Sequence, residues 1–459
     1  MQDWSAIETE EDFKQKIKGS LEAEIKEILK SDFESAVGMS RKWDAREAGR
    51  EVARSTLKKL KTPPSFFLLF STIHYKKHGG FQEFLDGVWD VLPDKTPLIG
   101  GTVAGFINSD GSYARGATAM AVSSPNMDAA IGFGKNPKKS PKKAAQRCAA
   151  MIKNGLKNSD YQNKFLFEIV SGPKFPTIPF KGEFRIIKNR SLSLLFAYLS
   201  KISTSLFQKG AAREAEALQF LSKELDDFYI LGGSSMDDCR YVDNFQFYNK
   251  KVYKNSLLGL GLQTNLFPII KSGSGLISTG KKSNVTKDRV WGHIICSLDH
   301  KPATDVYLKA VDWPEKILDE RVYTKTIYYP LGSIINEKLI VPNVIALFVG
   351  KYIVLAHSIP SKKLCLLTTS GERLTKAIDD ALFGIPSNFG FGVSCAIRMQ
   401  TLGDKVNIVK EKLKSKFGDN FLVIYTPGES IYLPDKGICQ HFQNTFNILT
   451  FGTSKIDLT

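Results

Sequence analysis

Arg398 in SCAIRM and Glu429 in TPGESI carry opposite charges on stretches that otherwise read as apolar strands, and either is expensive to bury without a partner. Two uses fit: a structural ion pair, or a pocket in which Arg398 clamps a ligand carboxylate while Glu429 or Asp237 receives its ammonium. Nucleophilic chemistry has one candidate, Gly232-Gly233-Ser234-Ser235-Met236. It has the small residues of a nucleophile elbow but not the closing glycine, and no histidine stands in a partner motif. His74 and His78 have metal-pair spacing but flank Tyr-Lys-Lys with no Cys or carboxylate set beside them, so they read as a surface loop and no metal site is expected. His441 is a single imidazole near the candidate pocket motifs, suited to axial haem ligation or to hydrogen bonding a ligand. GLGLQT at Gly259 begins like a dinucleotide fingerprint but has Thr where a third small residue is needed, and no Walker A sequence occurs.

The elements that must position these residues share one feature. Three strands end in a glycine-containing turn: LIGGTVAGF with Gly100, Gly101, Thr102 and Gly105; ILGGSSMDD with Gly232, Gly233, Ser234, Ser235 and Asp237; and VIYTPGESI with Gly428 and Glu429. Glycine at a strand end leaves main-chain N–H groups uncovered, so a ligand or another backbone can approach closely. The recurrence predicts that the three turns border one pocket containing Arg398, with Gly233 in a positive-φ conformation.

Around these turns the chain alternates between helix and strand. Residues 6–33 place Phe13, Ile17, Leu21, Ile25 and Ile28 on one face of a charged helix, which predicts docking on this chain, a second copy or a partner. A helix capped by Asp44 stops at Pro63-Pro64, and SFFLLFSTI follows as a buried strand. Hairpins are expected at Asp110-Gly111 and Asn249-Lys250, a helix from Ser140-Pro141, and two helices between about Ser191 and Leu225. The stretch 271–290 is rich in Gly, Ser and Lys and reads as a linker or long loop. VIALFV and YIVLAHSI meet at Gly350-Lys351 as a hairpin rather than a membrane span.

Composition sets the frame. The 459 residues exceed one ordinary core, and 42% hydrophobic with 24% charged residues is the balance of a globular chain. The six cysteines are scattered singly, as free thiols of a reducing compartment. The acidic start MQDWSAIETEEDF has no secretory pattern, which points to the cytoplasm. A net charge of +16 permits nucleic-acid or membrane contact, but the densest basic run, KNPKKSPKKAAQR, lacks interleaved aromatics and reads as a solvated helix start.

The combination of SFFLLFSTI, PLIGGTVAGFI, ARGATAMAV and YILGGSSMDD with the following FQFYNKKVYKNSLLGLGL resembles the N-terminal half of a FIST protein. YPLG, SCAIRMQTLG, PGESI and the closing QHFQNTF, with His441 and Asn444, resemble the FIST C pattern. Gly105-Phe106 departs from the family where relatives carry an acidic residue, and the closing tract is a loosened version. The resemblance implies a sensory module of signal transduction, with amino acids or related metabolites as ligands, a haem-based nitric-oxide sensor as one branch, and no established catalysis. The expected architecture is α/β: two related units with mixed, partly antiparallel sheets flanked by helices. The expected divisions are an amphipathic helix extension over 1–37, a FIST N-like domain over 38–270, a linker over 271–290 and a FIST C-like domain over 291–459. Expected partners are a small-molecule ligand and a signalling protein or a second copy, without specific nucleic acid or membrane insertion. A hydrolase using Ser234 or Ser235 is the enzymatic alternative.

Overall fold

A computed structural model of the protein describes residues 33–174, 212–319, 322–335, 339–386 and 388–453, with Gly19, Ile186, Ile187, Ile202 and Glu337. The helix expected over 6–33 and the first of the two expected from Ser191 lie outside the described residues; the second is Glu214–Glu224.

The same strand sequence occurs three times. In the first unit, strand Glu34–Ser40 leads through helix Ala45–Leu57 to strand Phe66–Ser71, and helix Phe81–Trp89 leads to strand Leu98–Thr102. A hairpin, Gly105–Asn108 with Gly111–Tyr113, precedes the closing strand Ala117–Ser123. The second unit repeats this order with strands Met127–Lys135, Asn163–Ser171 and Tyr229–Ser235, hairpin Gln246–Tyr248 with Lys251–Tyr253, and closing strand Ser256–Thr264. The third uses Phe267–Gly273, Gly390–Cys395 and Phe421–Thr426, hairpin Glu429–Leu433 with Ile438–Phe442, and Phe446–Gly452.

Each unit forms four strands of a six-stranded sheet and lends its hairpin to another unit's sheet. The first hairpin completes the third sheet, the second the first, and the third the second, so the exchange is cyclic. In every sheet the second and third strands of the unit run parallel, as Phe67 opposite Leu98, Tyr229 opposite Phe165 and Gly390 opposite Phe421 show. Those strands are buried along their length, which is why FFLLF and FLVIY are continuous apolar runs. One ring from each unit meets in the core: Phe70, Phe167 and Phe391 have centroids 5.0–6.0 Å apart. Local signals hold where caps and turns set them. Asp44 accepts from the Glu47 N–H at 2.9 Å, and the hairpin at Asn249-Lys250 places Asn249 at φ 47°.

Three corrections follow from this topology. The mixed α/β class holds, but the related units number three, because hairpin exchange and not sequence likeness defines them. The stretch 271–290 is not a linker: Phe267–Gly273 pairs with Phe446–Gly452, and Ile277–Arg289 is a strand between Ile294–Leu298 and Lys363–Thr368. Its side chains are mostly exposed and Gly280 interrupts it at φ +81°, so it has a loop's composition while its backbone is paired. It opens an inserted sheet that runs to Lys363–Thr368 and returns to the third unit at helix Gly371–Leu382. Arg398 sits on helix Ala396–Leu402 rather than on a strand. Among the described residues no helix is long and apolar enough to cross a membrane.

Candidate functional site

The three turns meet because each marks the point where the chain leaves its own sheet. Met236 N–H donates to the Thr102 carbonyl at 2.9 Å, Ala104 N–H to the Tyr425 carbonyl at 3.0 Å, and Ser234 N–H to the Gly428 carbonyl at 3.2 Å. Each turn is thus bonded to the other two. Their glycines admit neighbouring chain, and none of the six has positive φ. A β-carbon on Gly233 would stand 2.9 Å from Val393 Cγ1 and 3.0 Å from Thr426 Oγ1, so the expected left-handed conformation there is corrected to close packing.

The junction of the second and third turns is polar. Hairpin Glu429–Phe442 lies beside Tyr229–Ser235, with Gly233 opposite Glu429, and carries His441 onto this junction. The inserted sheet brings His357, and Glu214 opens helix Glu214–Glu224. One donor atom from each of Glu214, His357 and His441 lies within 4.8 Å of the others, and the residues are 1%, 4% and 5% exposed. The outward atoms are taken. Ser234 Oγ donates to Glu214 Oε1 at 3.2 Å, the His441 Nδ1 bonds Ser430 Oγ at 2.9 Å, and His357 Nε2 stands 3.4 Å from the Pro427 carbonyl. The inward atoms are not: Glu214 Oε2 and His441 Nε2 are buried without a hydrogen-bond partner. Glu214 Oε2 lies 3.4 Å from His357 Nδ1, outside hydrogen-bonding geometry. A β-carbon on Gly428 would collide with His441 Nε2 and come within 2.8 Å of His357 Nε2.

Electrostatics follow burial. Desolvation pushes Glu168, on Asn163–Ser171, up to about 8, with the Ser430 hydroxyl offsetting part of the rise. Burial works against ionised Glu214 as well, but His357 outweighs it and holds that carboxyl low. Burial and the neighbouring His357 lower His441 to about 3, and burial lowers His293 to about 4, so both rings are neutral near pH 7. Lys138 is pushed down to about 7 by burial and then by Lys174. The junction therefore holds an ionised carboxylate beside a neutral imidazole.

The other expected residues serve packing. Thr102 accepts from Phe245 N–H at 3.0 Å, and Gly100, Gly101, Gly105 and Gly232 fit against neighbouring strands. Ser235 donates to the Val170 carbonyl at 3.3 Å. Asp237 closes its own loop, accepting from the N–H groups of Arg240, Tyr241, Val242 and Asp243 at 2.7–3.2 Å. Arg398 lacks the expected carboxylate partner and is engaged by backbone instead. It donates to the carbonyls of Ser274, Leu374 and Asn444 at 2.6–3.3 Å. Glu429 instead accepts from Thr445, through the N–H at 3.2 Å and Oγ1 at 2.6 Å. Asn444, at φ 58°, is buried with both amide atoms unpartnered. Of the expected residues, Ser234, Gly428 and His441 come together at the junction. Glu168 was legible, since a lone Glu within KFLFEIV raises the same burial question as Arg398; Glu214, His293 and His357 carried no local signal. A separate cleft of about 700 Å³, lined by Trp89, Lys95, Met151 and Lys250, opens near the start of Leu98–Thr102 and contains none of the expected site residues.

The FIST N domain model matches residues 65–301, more than half of the chain and the part holding Glu168, Glu214 and Ser234. No curated protein matches. Among solved structures, a cyanuic acid hydrolase from A. caulinodans is similar at 8% identity over 50% of this chain and 71% of its own, with a TM-score of 0.25, too low to carry an argument.

Proposed function

The chain belongs to the FIST family, whose domains are sensory and signal-transduction modules, and on that premise we propose that it senses a small polar ligand at the junction of the second and third turns. The observation that carries this reading is the pair of inward atoms, Glu214 Oε2 and His441 Nε2, buried and unpartnered beneath Gly428. Native folds rarely leave buried polar atoms unsatisfied unless something else meets them. An amino acid or related metabolite suits the charge, with its ammonium received by the Glu214 carboxylate. Arg398, which donates to three backbone carbonyls, drops out of the clamp expected for it. Residues 291–459 are read as the FIST C-like part, and output passes through a partner or a second copy in the cytoplasm.

Two other chemistries fit less well. A haem disc at His441 would have to occupy the space of Gly428 and of His357, whose ring lies 4.6 Å away. Ser235 donates to the Val170 carbonyl, and Ser234, fully buried, donates to Glu214, which no third group among the described residues orients as in a hydrolytic triad. The test is a thermal-shift screen of amino acids and related metabolites on the full chain. A ligand at 100 times its Kd adds about 2.7 kcal/mol of stability. We expect a saturable rise in Tm that His441→Ala removes. No shift with any metabolite, or one that His441→Ala leaves intact, overturns the reading; a Soret band in purified protein would favour haem.

A further inference from the structure

We propose that Glu214, His357 and His441 bind one divalent first-row transition ion, of the zinc or ferrous class. The trio combines two imidazoles and a carboxylate, donors that suit such an ion and leave it a position for a further ligand. All three come from different parts of the chain, the helix of the second unit, the inserted sheet and the third hairpin, so a shared ion ties them together.

The surroundings of each donor favour this over an accidental cluster. Metal-bound histidines and carboxylates direct one atom to the ion and engage the other in an orienting hydrogen bond. Here Ser234 Oγ holds Glu214 Oε1 and leaves Oε2 inward, while Ser430 Oγ holds His441 Nδ1 and leaves Nε2 inward. His357 turns Nε2 to the Pro427 carbonyl and Nδ1 to Glu214 Oε2. An ion among the inward atoms supplies the partner that Glu214 Oε2 and His441 Nε2 lack. Gly428 keeps the space beside both imidazoles clear of a β-carbon. An ion here takes the two inward atoms that the sensory reading gives to a metabolite, so with the ion bound a metabolite meets the ion's open position rather than Glu214 itself.

Full-chain protein is treated with EDTA and titrated with Zn²⁺ by calorimetry and with Co²⁺ by absorption. We expect one ion per chain and the intense visible bands of a four- or five-coordinate cobalt site. His441→Ala and Glu214→Gln should each weaken binding at least 100-fold, His74→Ala should leave it unchanged, and Ser430→Ala should weaken it about 10–100-fold through lost orientation. Folded wild type that takes up neither ion, or uptake unaffected by His441→Ala, overturns the site. Should His441→Ala not fold, the wild-type cobalt spectrum decides, and weak six-coordinate bands would count against the trio. The sensory reading fails separately: ion uptake with no metabolite response overturns only that reading, whereas a metabolite response without ion uptake overturns only the metal site.

Discussion

Arg398 and Glu429 are both fully buried, yet neither is paired with the other: Arg398 donates to backbone carbonyls, and Glu429 accepts from Thr445 through Oε2 while Oε1 has no hydrogen-bond partner. Backbone carbonyls match the guanidinium fork, and Thr445 matches the carboxyl. Burial pushes Glu429 up to about 8, with the Thr445 bonds offsetting part of the rise. The unfolded chain ionises first, so the folded state holds the extra proton between about 4.5 and 8 and this residue's contribution to stability falls as pH rises through that window. Glu429→Gln keeps an acceptor for Thr445 but cannot ionise. Urea midpoints should agree with wild type near pH 4.5 and favour the variant by a few kcal/mol near pH 8, at about 1.36 kcal/mol per pH unit. A gap that does not change with pH would place Glu429 in a solvated setting. Gly428 supplies a second residue-scale test. Its φ is outside the left-handed range, so Gly428→Ala meets only the crowding against His441 and His357; about 1–3 kcal/mol of destabilisation and loss of ligand or ion binding are expected. Gly437 has φ 62° with no atom within 4 Å of a β-carbon, so Gly437→Ala should cost about 1 kcal/mol and leave binding intact. Equal effects in the two variants would contradict the crowding argument.

Elements cross between sheets where the glycines permit it, and the loops that follow need their own fastening. After Tyr229–Ser235 the chain turns back to hairpin Gln246–Tyr253, and Asp237 holds that reversal through four backbone N–H groups. Asparagine offers one acceptor oxygen in place of two, so Asp237→Asn should destabilise the fold by roughly 2–3 kcal/mol. Amide exchange at residues 240–243 should speed up more than exchange in the sheets. Uniform acceleration across the sheets, or none at all, would show that Asp237 is not the clasp of this loop.

The described residues form three units, each completed by another's hairpin, with an inserted sheet in the third. The insertion leaves and returns close together: Thr369 Oγ1 donates to the Gly275 carbonyl at 2.8 Å. Replacing residues 277–368 by a short Gly-Ser link should therefore leave a cooperatively unfolding three-unit core, while removing His357 and with it ion binding. A chain ending at residue 276 should not fold cooperatively, because the second sheet loses its edge hairpin and the third loses three of its six strands, including the two at its centre. Independent folding of that shorter chain would refute the interdependence of the units.

Sequence by itself determined what depends on neighbours along the chain. Capping by Asp44 and the hairpin at Asn249-Lys250 are set within a few residues by backbone sterics and local hydrogen bonds, and the apolar runs of the parallel strands and the three glycine turns are visible as short local patterns. The recurrence of the turns was the trace of the threefold plan, visible because a chain leaving its sheet needs small residues wherever that occurs. Only the tertiary structure decided which sheet receives each hairpin, that a polar stretch from 277 to 289 is a paired strand, and that Glu214, His357 and His441 meet. Those three residues are separated by 143 and 84 positions, and no local pattern constrains such distances. Their convergence follows from the exchange of hairpins and the placement of the insertion, which are set by burial of whole faces and the pairing of strand edges rather than by any motif.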